Sequence, residues 1–418
     1  MTVTAVRTPL WKGRTAAMLG ILLVALNLRM AVSAISPIVG KISVDIPLSG
    51  VDLGVIGSIA PIAFALCAVG GALAARRVGV ERLLVFAIIA LIVGQFVRAF
   101  AGNFGVLLLG TIIALAGLGL GNVLLPPLVK RYFGDRVGLM TSVYVTVVSL
   151  STSSAAALAL PLANAGGWRL SLSVWGAVAV TALVPWLSVL AKHSRARSAA
   201  AEASDAGEVT VPSPQLAGQM WHSRVAWMIG IVFATSTFSV YACIAWLPQM
   251  LVDLAGVSHL EAGGYLAIWG LMGVPSALII PLLVARMKNI GIIIYAGIGI
   301  FVLGYLGLLI APGSFTVVWV VLVGLGPLLY PACLTLINLR SRTHEGAVAL
   351  SGVAQTIGYS LGALGPLTVG IVHDLTGGWT VALILLLATA IACAVVATTL
   401  TKPVFVEDEL ATRRAVRA

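Results

Sequence analysis

Apolar runs of about twenty residues recur twelve times along this 418-residue chain, and few folds can accommodate that. They lie near 15–39, 51–75, 83–101, 104–129, 137–161, 170–190, 225–250, 261–284, 291–311, 315–338, 347–371 and 379–400, numbered here as spans 1 to 12. A helix needs roughly 20 residues to cross the hydrocarbon core of a bilayer. The runs are continuously apolar, not alternating, and about twice as long as a barrel strand, which selects helices. Only 9% of residues are charged, whereas a soluble domain carries about 25%. The expected fold is an all-α integral membrane protein of twelve transmembrane helices. The first run has the look of a cleavable leader, with Val32-Ser-Ala as its cleavage site. Its apolar character continues to Val39 and eleven spans follow, so it reads as an anchor.

An even number of spans puts both termini on one side. With that side cytoplasmic, inner segments hold 21 of the 25 basic residues and the outer loops keep only Lys41 and Arg169. This asymmetry is what the positive-inside rule expects, and it accounts for the net charge of +11 without a nucleic-acid partner. The Ala/Ser/Pro-rich stretch at 195–223 reads as a cytoplasmic linker between an N-terminal six-helix bundle (1–194) and a C-terminal one with a cytoplasmic tail (224–418). The halves also resemble each other. Gly-Gly-Trp ending at Trp168 recurs at Trp379, and Pro37 recurs at Pro248, each pair 211 residues apart. In transporters, duplicated halves place the substrate at their interface near the bilayer midplane.

Charge inside the membrane is the most informative chemical feature. All fourteen acidic residues fall in loops, tails or span ends, and only Arg29 and Arg98 sit well inside a span. An arginine at a helix centre costs about 2.5–3.5 kcal/mol on insertion scales, so something must offset Arg29. One reading has it face a water-filled cavity and bind an anionic or strongly dipolar substrate through its forked donors. The other makes it a structural group bonded to carbonyls or hydroxyls. Ser33 and Ser36, at i+4 and i+7, extend a polar stripe from Arg29, while Asn27 points elsewhere. Arg98 lies nearer the outer end of span 3, where it can snorkel, and reads as structural. Asn122, Tyr241, Gln355 and Tyr359 are expected to line the cavity. Trp246 reads either as a further such group or as part of the interfacial aromatic belt.

Other chemistries lack their residues. Cys67, Cys243, Cys333 and Cys393 are far apart inside apolar runs, with neither disulfide nor metal spacing. Gly117-Leu-Gly-Leu-Gly121 is superficially like a phosphate loop but follows no strand; its Gly117 and Gly121 suit close helix packing instead. No nucleophile–base arrangement or cofactor motif is visible, so neither an enzyme nor a metal or cofactor is expected.

Several stretches carry a family resemblance: Asn27-Leu-Arg29; Leu73 to Arg82 in loop 2–3; Gly119 to Pro126, running on to Lys130 and Phe133; Trp246-Leu-Pro248; Leu350 to Tyr359; Gly365-Pro366; and Gly377-Gly-Trp379. Over nearly its whole length the chain resembles the major facilitator superfamily and, within it, the cyanate and nitroimidazole transporter family. The resemblance implies two six-helix bundles rocking about a central site, with loop 2–3 latching the outward-open state. The aspartate usual in that loop is replaced by Ala75 and the arginine usual in span 4 by Ile113. A latch would therefore use other groups, with Glu81 and Arg76 or Arg82 as the candidates. The expected function is secondary transport of a small anionic or compact polar solute across the cytoplasmic membrane by a monomer. The runner-up is export of small neutral heterocycles through a site dominated by Tyr241 and Trp269. A channel would show rings of repeated polar residues, and a receptor would need a signalling appendage.

Overall fold

The computed structural model describes residues 14–199, 214–287, 289–400 and 404–417. Among them every regular element is helical. Eleven segments are long and apolar enough to cross a membrane, and one of these, Gly134–Ala191, runs for 58 residues. Straight, it would reach nearly 90 Å, about three hydrocarbon cores. Its backbone leaves helical geometry at Gly166 and at Gly167, where φ is +80°. The chain then doubles back, and Ser171 Oγ donates to the Ala159 carbonyl at 2.9 Å. Twelve spans result, arranged as two six-helix bundles. Large apolar side chains such as Leu66 (69% exposed), Val184 (67%) and Val395 (72%) project from the bundle, as a lipid-facing surface requires.

Four spans are interrupted, and proline explains the positions. A helical proline lacks an N–H and clashes with the carbonyl four residues earlier. In span 1 the helix Thr15–Ser33 stops four residues before Pro37, then continues as a 3₁₀ turn, Ser36–Ile38, and a short helix, Val39–Asp45. In span 8, His259–Leu271 gives way to Gly273–Arg286 four residues before Pro275. In span 11, His344–Gly362 breaks before Leu364–Thr376, again four residues before Pro366. Span 10 carries the 3₁₀ turn Gly326–Leu328 around Pro327. The other spans are Gly50–Val78, Val80–Ala99, Phe104–Tyr132, Arg224–Ala255, Gly291–Ile310 and Thr380–Leu400.

The repeated Gly-Gly-Trp has a repeated job. Trp168 Nε1 donates to Asp45 at 2.9 Å, and Trp379 Nε1 donates to Asp253 at 2.8 Å. Each tryptophan thus ties the loop before the last span of its bundle to the end of that bundle's first span. Arg169 also pairs with Asp45.

The face carrying the chain termini is organised by carboxylates. Arg14 pairs with Asp135 at 2.5 Å in the N-terminal bundle. A tail helix, Val406–Arg417, places Glu409 on Ser223 Oγ (2.6 Å) and on the Arg224 N–H (2.7 Å). Glu407 accepts from Ser341 Oγ (2.6 Å) and from the Arg342 (3.0 Å) and Thr343 (3.2 Å) N–H groups. Of the expected linker, residues 200–213 lie outside the described residues. On either side of them the helix from span 6 continues to Ala199, and a short helix occupies Pro214–Met220.

Between mid-depth and the opposite face the bundles are pressed together. Ser36 Oγ donates to Ala245 O (2.7 Å), Ser58 Oγ to Ala363 O (2.6 Å) and Ser153 Oγ to Ala267 O (2.6 Å). The Val51 N–H donates to Asp374 at 3.2 Å. Glycines allow this approach: a Cβ at Gly54 would sit 2.9 Å from Leu367 Cα.

Candidate functional site

Arg29 comes from the last full turn before the span 1 break, at the middle of the 15–45 segment. Its backbone is fixed by two serines, Ser151 Oγ accepting its N–H at 3.2 Å and Ser33 Oγ donating to its carbonyl at 2.8 Å. The guanidinium reaches across to the other bundle and donates from Nη1 to Tyr241 Oη at 2.9 Å. Its Cζ lies 5.4 Å from the Phe64 ring centroid and 5.7 Å from that of Tyr241, within cation–π range. Phe64 in turn meets Tyr241 edge-on at 6.3 Å and Tyr359 at 5.5 Å. Tyr359 and Tyr330 bring their hydroxyls to 3.3 Å.

Arg29, Tyr241 and Tyr359 stand at the deep end of a cavity of about 450 Å³ between the bundles. It runs from Arg29, Tyr241 and Trp269 past Tyr144, Ser149 and Tyr330 to Thr141, Pro281 and Asn338 near the terminal face. Among the described residues, Arg29 is the one charged side chain lining it, and none of them adds a carboxylate to the wall. A cation surrounded by phenol, hydroxyl and apolar groups can accept an anion or the negative end of a strong dipole.

Of the expected lining residues, Arg29, Tyr241 and Tyr359 converge here. Asn122 and Gln355 are absent from the lining, and Gln355 Nε2 donates instead to Ser351 Oγ at 2.6 Å. Spacing orders residues around a helix but does not say which side meets the partner bundle. Nor does the expected serine stripe persist. The helix ends at Ser33, so Ser36 is turned away and bonds across the closed face. Asn27 is buried and returns Nδ2 to Leu23 O at 2.8 Å. Trp246 is neither lining nor belt: it is buried, donates to Pro366 O at 2.8 Å and packs on Trp379. Phe64 went unnoticed because nothing distinguishes it within an apolar run. Tyr330, a phenol at membrane depth like Tyr241, carried a usable signal.

Arg98 does not snorkel. It is wholly buried, with Nη1 donating to Ala31 O (2.9 Å) and Gln95 Oε1 (3.0 Å). Ala31 is in the last turn before the span 1 break, where helix carbonyls lose their intrahelical partners. The break therefore creates the acceptor that keeps Arg98 inside, in a structural role. In loop 2–3, Glu81 does not meet Arg82, which lies about 100° round the same helix and is exposed. Glu81 bonds within its own bundle to Arg131 and to Tyr132 Oη, both at 2.9 Å. The Arg76 side chain lies outside the described residues.

The model of the Major Facilitator Superfamily matches residues 17–363. An uncharacterized transporter of Bacillus subtilis, YycB, is 31% identical over 377 residues, covering 89% of this chain and 90% of its own. The 2-nitroimidazole transporter of Escherichia coli is also 31% identical, over 379 residues, covering 89% and 92%. Among solved structures, a D-xylose-proton symporter superposes with a TM-score of 0.71 at 16% identity, covering 94% of this chain and 99% of that one.

Proposed function

The chain belongs to the major facilitator superfamily and is a transporter of a small solute, and on that premise we propose that the solute is a small anion or a compact, strongly dipolar molecule bound at Arg29. The observation that carries this reading is the lone cation. Among the described residues Arg29 is the single charged group on the cavity wall, and its Nη1 alone is engaged by their side chains. Nε and Nη2 remain for an acceptor with two adjacent oxygens or nitrogens. Tyr359 and Tyr330 supply hydroxyls around it, and Tyr241 holds Nη1. Asn122 and Gln355 would join only after rearrangement, since neither borders the cavity here. A neutral heterocycle without such an acceptor pair leaves the guanidinium uncompensated.

Transport follows from alternating access by a rocker-switch motion. The bundles are sealed towards the opposite face and parted towards the terminal one, and the distribution of basic residues makes that terminal face cytoplasmic. The state described is thus inward-open, in a multi-pass protein of the cytoplasmic membrane that acts as a monomer of two bundles (1–194 and 224–418). Reversal would close the terminal face, bringing the loop 2–3 group of Arg76, Glu81 and Arg82 towards the other bundle as the latch. The test is counterflow in proteoliposomes preloaded with nitrate, thiocyanate or formate, with pyrazole, uncharged at neutral pH, as control. Saturable anion exchange supports the reading. Pyrazole flux without anion flux refutes it.

A further inference from the structure

Tyr241 stands between two spaces. With Ile244 it lines both the large cavity and a pocket of about 30 Å³ beyond it, whose other walls include Ser36, Thr111 and Ala245. That volume holds a water or two, not a solute. Beyond it comes the closed face, where Ser36 bonds Ala245 O. Anything leaving the cavity in this direction must displace the Tyr241 ring, which is 1% exposed. The groups fixing that ring belong to the other bundle: Arg29 bonds its hydroxyl, and Phe64 meets its edge.

We propose that Tyr241 is the thin gate of the pathway and the resting partner of Arg29, displaced by the incoming anion. This rests on the reading of Arg29 as the anion-binding group. A phenol oxygen is a weaker acceptor for a guanidinium than an anion is. An anion that pairs with Nε and Nη2 therefore draws the guanidinium towards itself and off the phenol, and the ring loses the Nη1 bond that holds it across the path. The same exchange removes a mid-depth tie between the bundles, so occupancy loosens the inward-open state while the empty carrier keeps it. Tyr241 then acts on affinity with a sign opposite to that of a simple ligand. Removing its hydroxyl frees Arg29 and tightens anion binding.

The experiment uses the full-length protein in detergent with Cys67→Ser, which removes its one partly exposed native thiol, and Thr111→Cys as reporter of the small pocket. Modification by methyl methanethiosulfonate is followed with and without nitrate. The expected result is slow modification in the parent, and a rate raised roughly tenfold by Tyr241→Phe or by saturating nitrate, as for loss of one hydrogen bond to a charged group. Nitrate titrations should show tighter binding in Tyr241→Phe. Equal modification rates in parent and Tyr241→Phe, or weaker nitrate binding in that variant, overturn the proposal. If nitrate, thiocyanate and formate all fail to bind the parent, the anion reading falls, while the modification rate in Tyr241→Phe still judges the gate. Ser36→Cys reports on the same pocket if the Thr111 variant folds poorly.

Discussion

Replacing Arg29 by alanine should weaken anion binding roughly a hundredfold while leaving a folded protein. Two of its donors, Nε and Nη2, have no hydrogen bond to described residues, so a bound anion gains two charge-assisted bonds there. At the low end of about 1.5 kcal/mol each, they amount to about 3 kcal/mol, or two decades in Kd. Folding should survive, because removing a mid-span arginine relieves an insertion cost of about 2.5–3.5 kcal/mol. That relief offsets much of the lost Tyr241 bond and the two cation–π contacts, worth from about 0.5–1 kcal/mol each at exposed sites to about 2 kcal/mol where desolvated. Arg29→Lys keeps the charge but not the fork, and should recover no more than about tenfold. The assay is titration of purified, monodisperse variants with nitrate or formate, read by calorimetry or thermal shift. A Kd within a factor of two of the parent in well-folded Arg29→Ala would refute the reasoning and leave Arg29 a structural tie between bundles.

Four further outcomes are expected. Cysteines introduced in the 195–215 stretch and the C-terminal tail should react only with reagents that reach the cytoplasm; labelling from outside intact cells contradicts the topology. Gly54→Leu should pry open the closed face, because even a Cβ there would sit 2.9 Å from Leu367 Cα; Ser36→Cys should then be modified faster from outside, and an unchanged rate argues against closure at this contact. Partial burial would raise the Glu407 pKa, but the Ser341 bond and the Arg342 and Thr343 N–H groups outweigh it and hold the carboxyl below its ordinary value. A depressed carboxylate stabilises at and above the unfolded pKa and loses this as pH falls through the folded one. Glu407→Gln should accordingly lower the melting temperature at pH 7, with the deficit fading below about pH 4; a pH-independent deficit points to packing alone. Finally, with no carboxylate or histidine among the described residues of the cavity wall, a pH gradient should not drive uphill uptake of a non-titrating anion into proteoliposomes. Accumulation that is lost on neutralising Asp52, Glu261 or Asp374 would reveal a coupling site.

Span number and position were legible because bilayer thickness imposes a length on every apolar run and polar loops punctuate the runs. Arg29 was legible for a related reason: a charge is conspicuous where insertion is costly. The proline breaks were partly readable, since Pro37, Pro275 and Pro366 are visible in the sequence. Yet Pro61, Pro126 and Pro248 sit within continuous helices, so proline alone does not decide where a helix parts. The repeated Gly-Gly-Trp signalled duplication, but not its carboxylate partners Asp45 and Asp253, which lie more than a hundred residues away in sequence.

One-dimensional pattern thus settled the solvent, the helices, the duplication and the intramembrane cation, all consequences of the free energy of placing a side chain in hydrocarbon. Which side of each helix meets the partner bundle depends on contacts between distant segments, and only packing resolved it. That is why Asn122 and Gln355 lie off the cavity while Tyr330 lines it and Phe64 packs on Arg29 and Tyr241. It is also why Arg98, which resembles Arg29 in sequence, is spent on a carbonyl that a proline break had freed. Each arginine must offset the cost of leaving bulk water. Arg29 meets it beside an open cavity and a phenol of the other bundle, and Arg98 in a closed interior, so the partner each finds, not its residue type, separates binding from support.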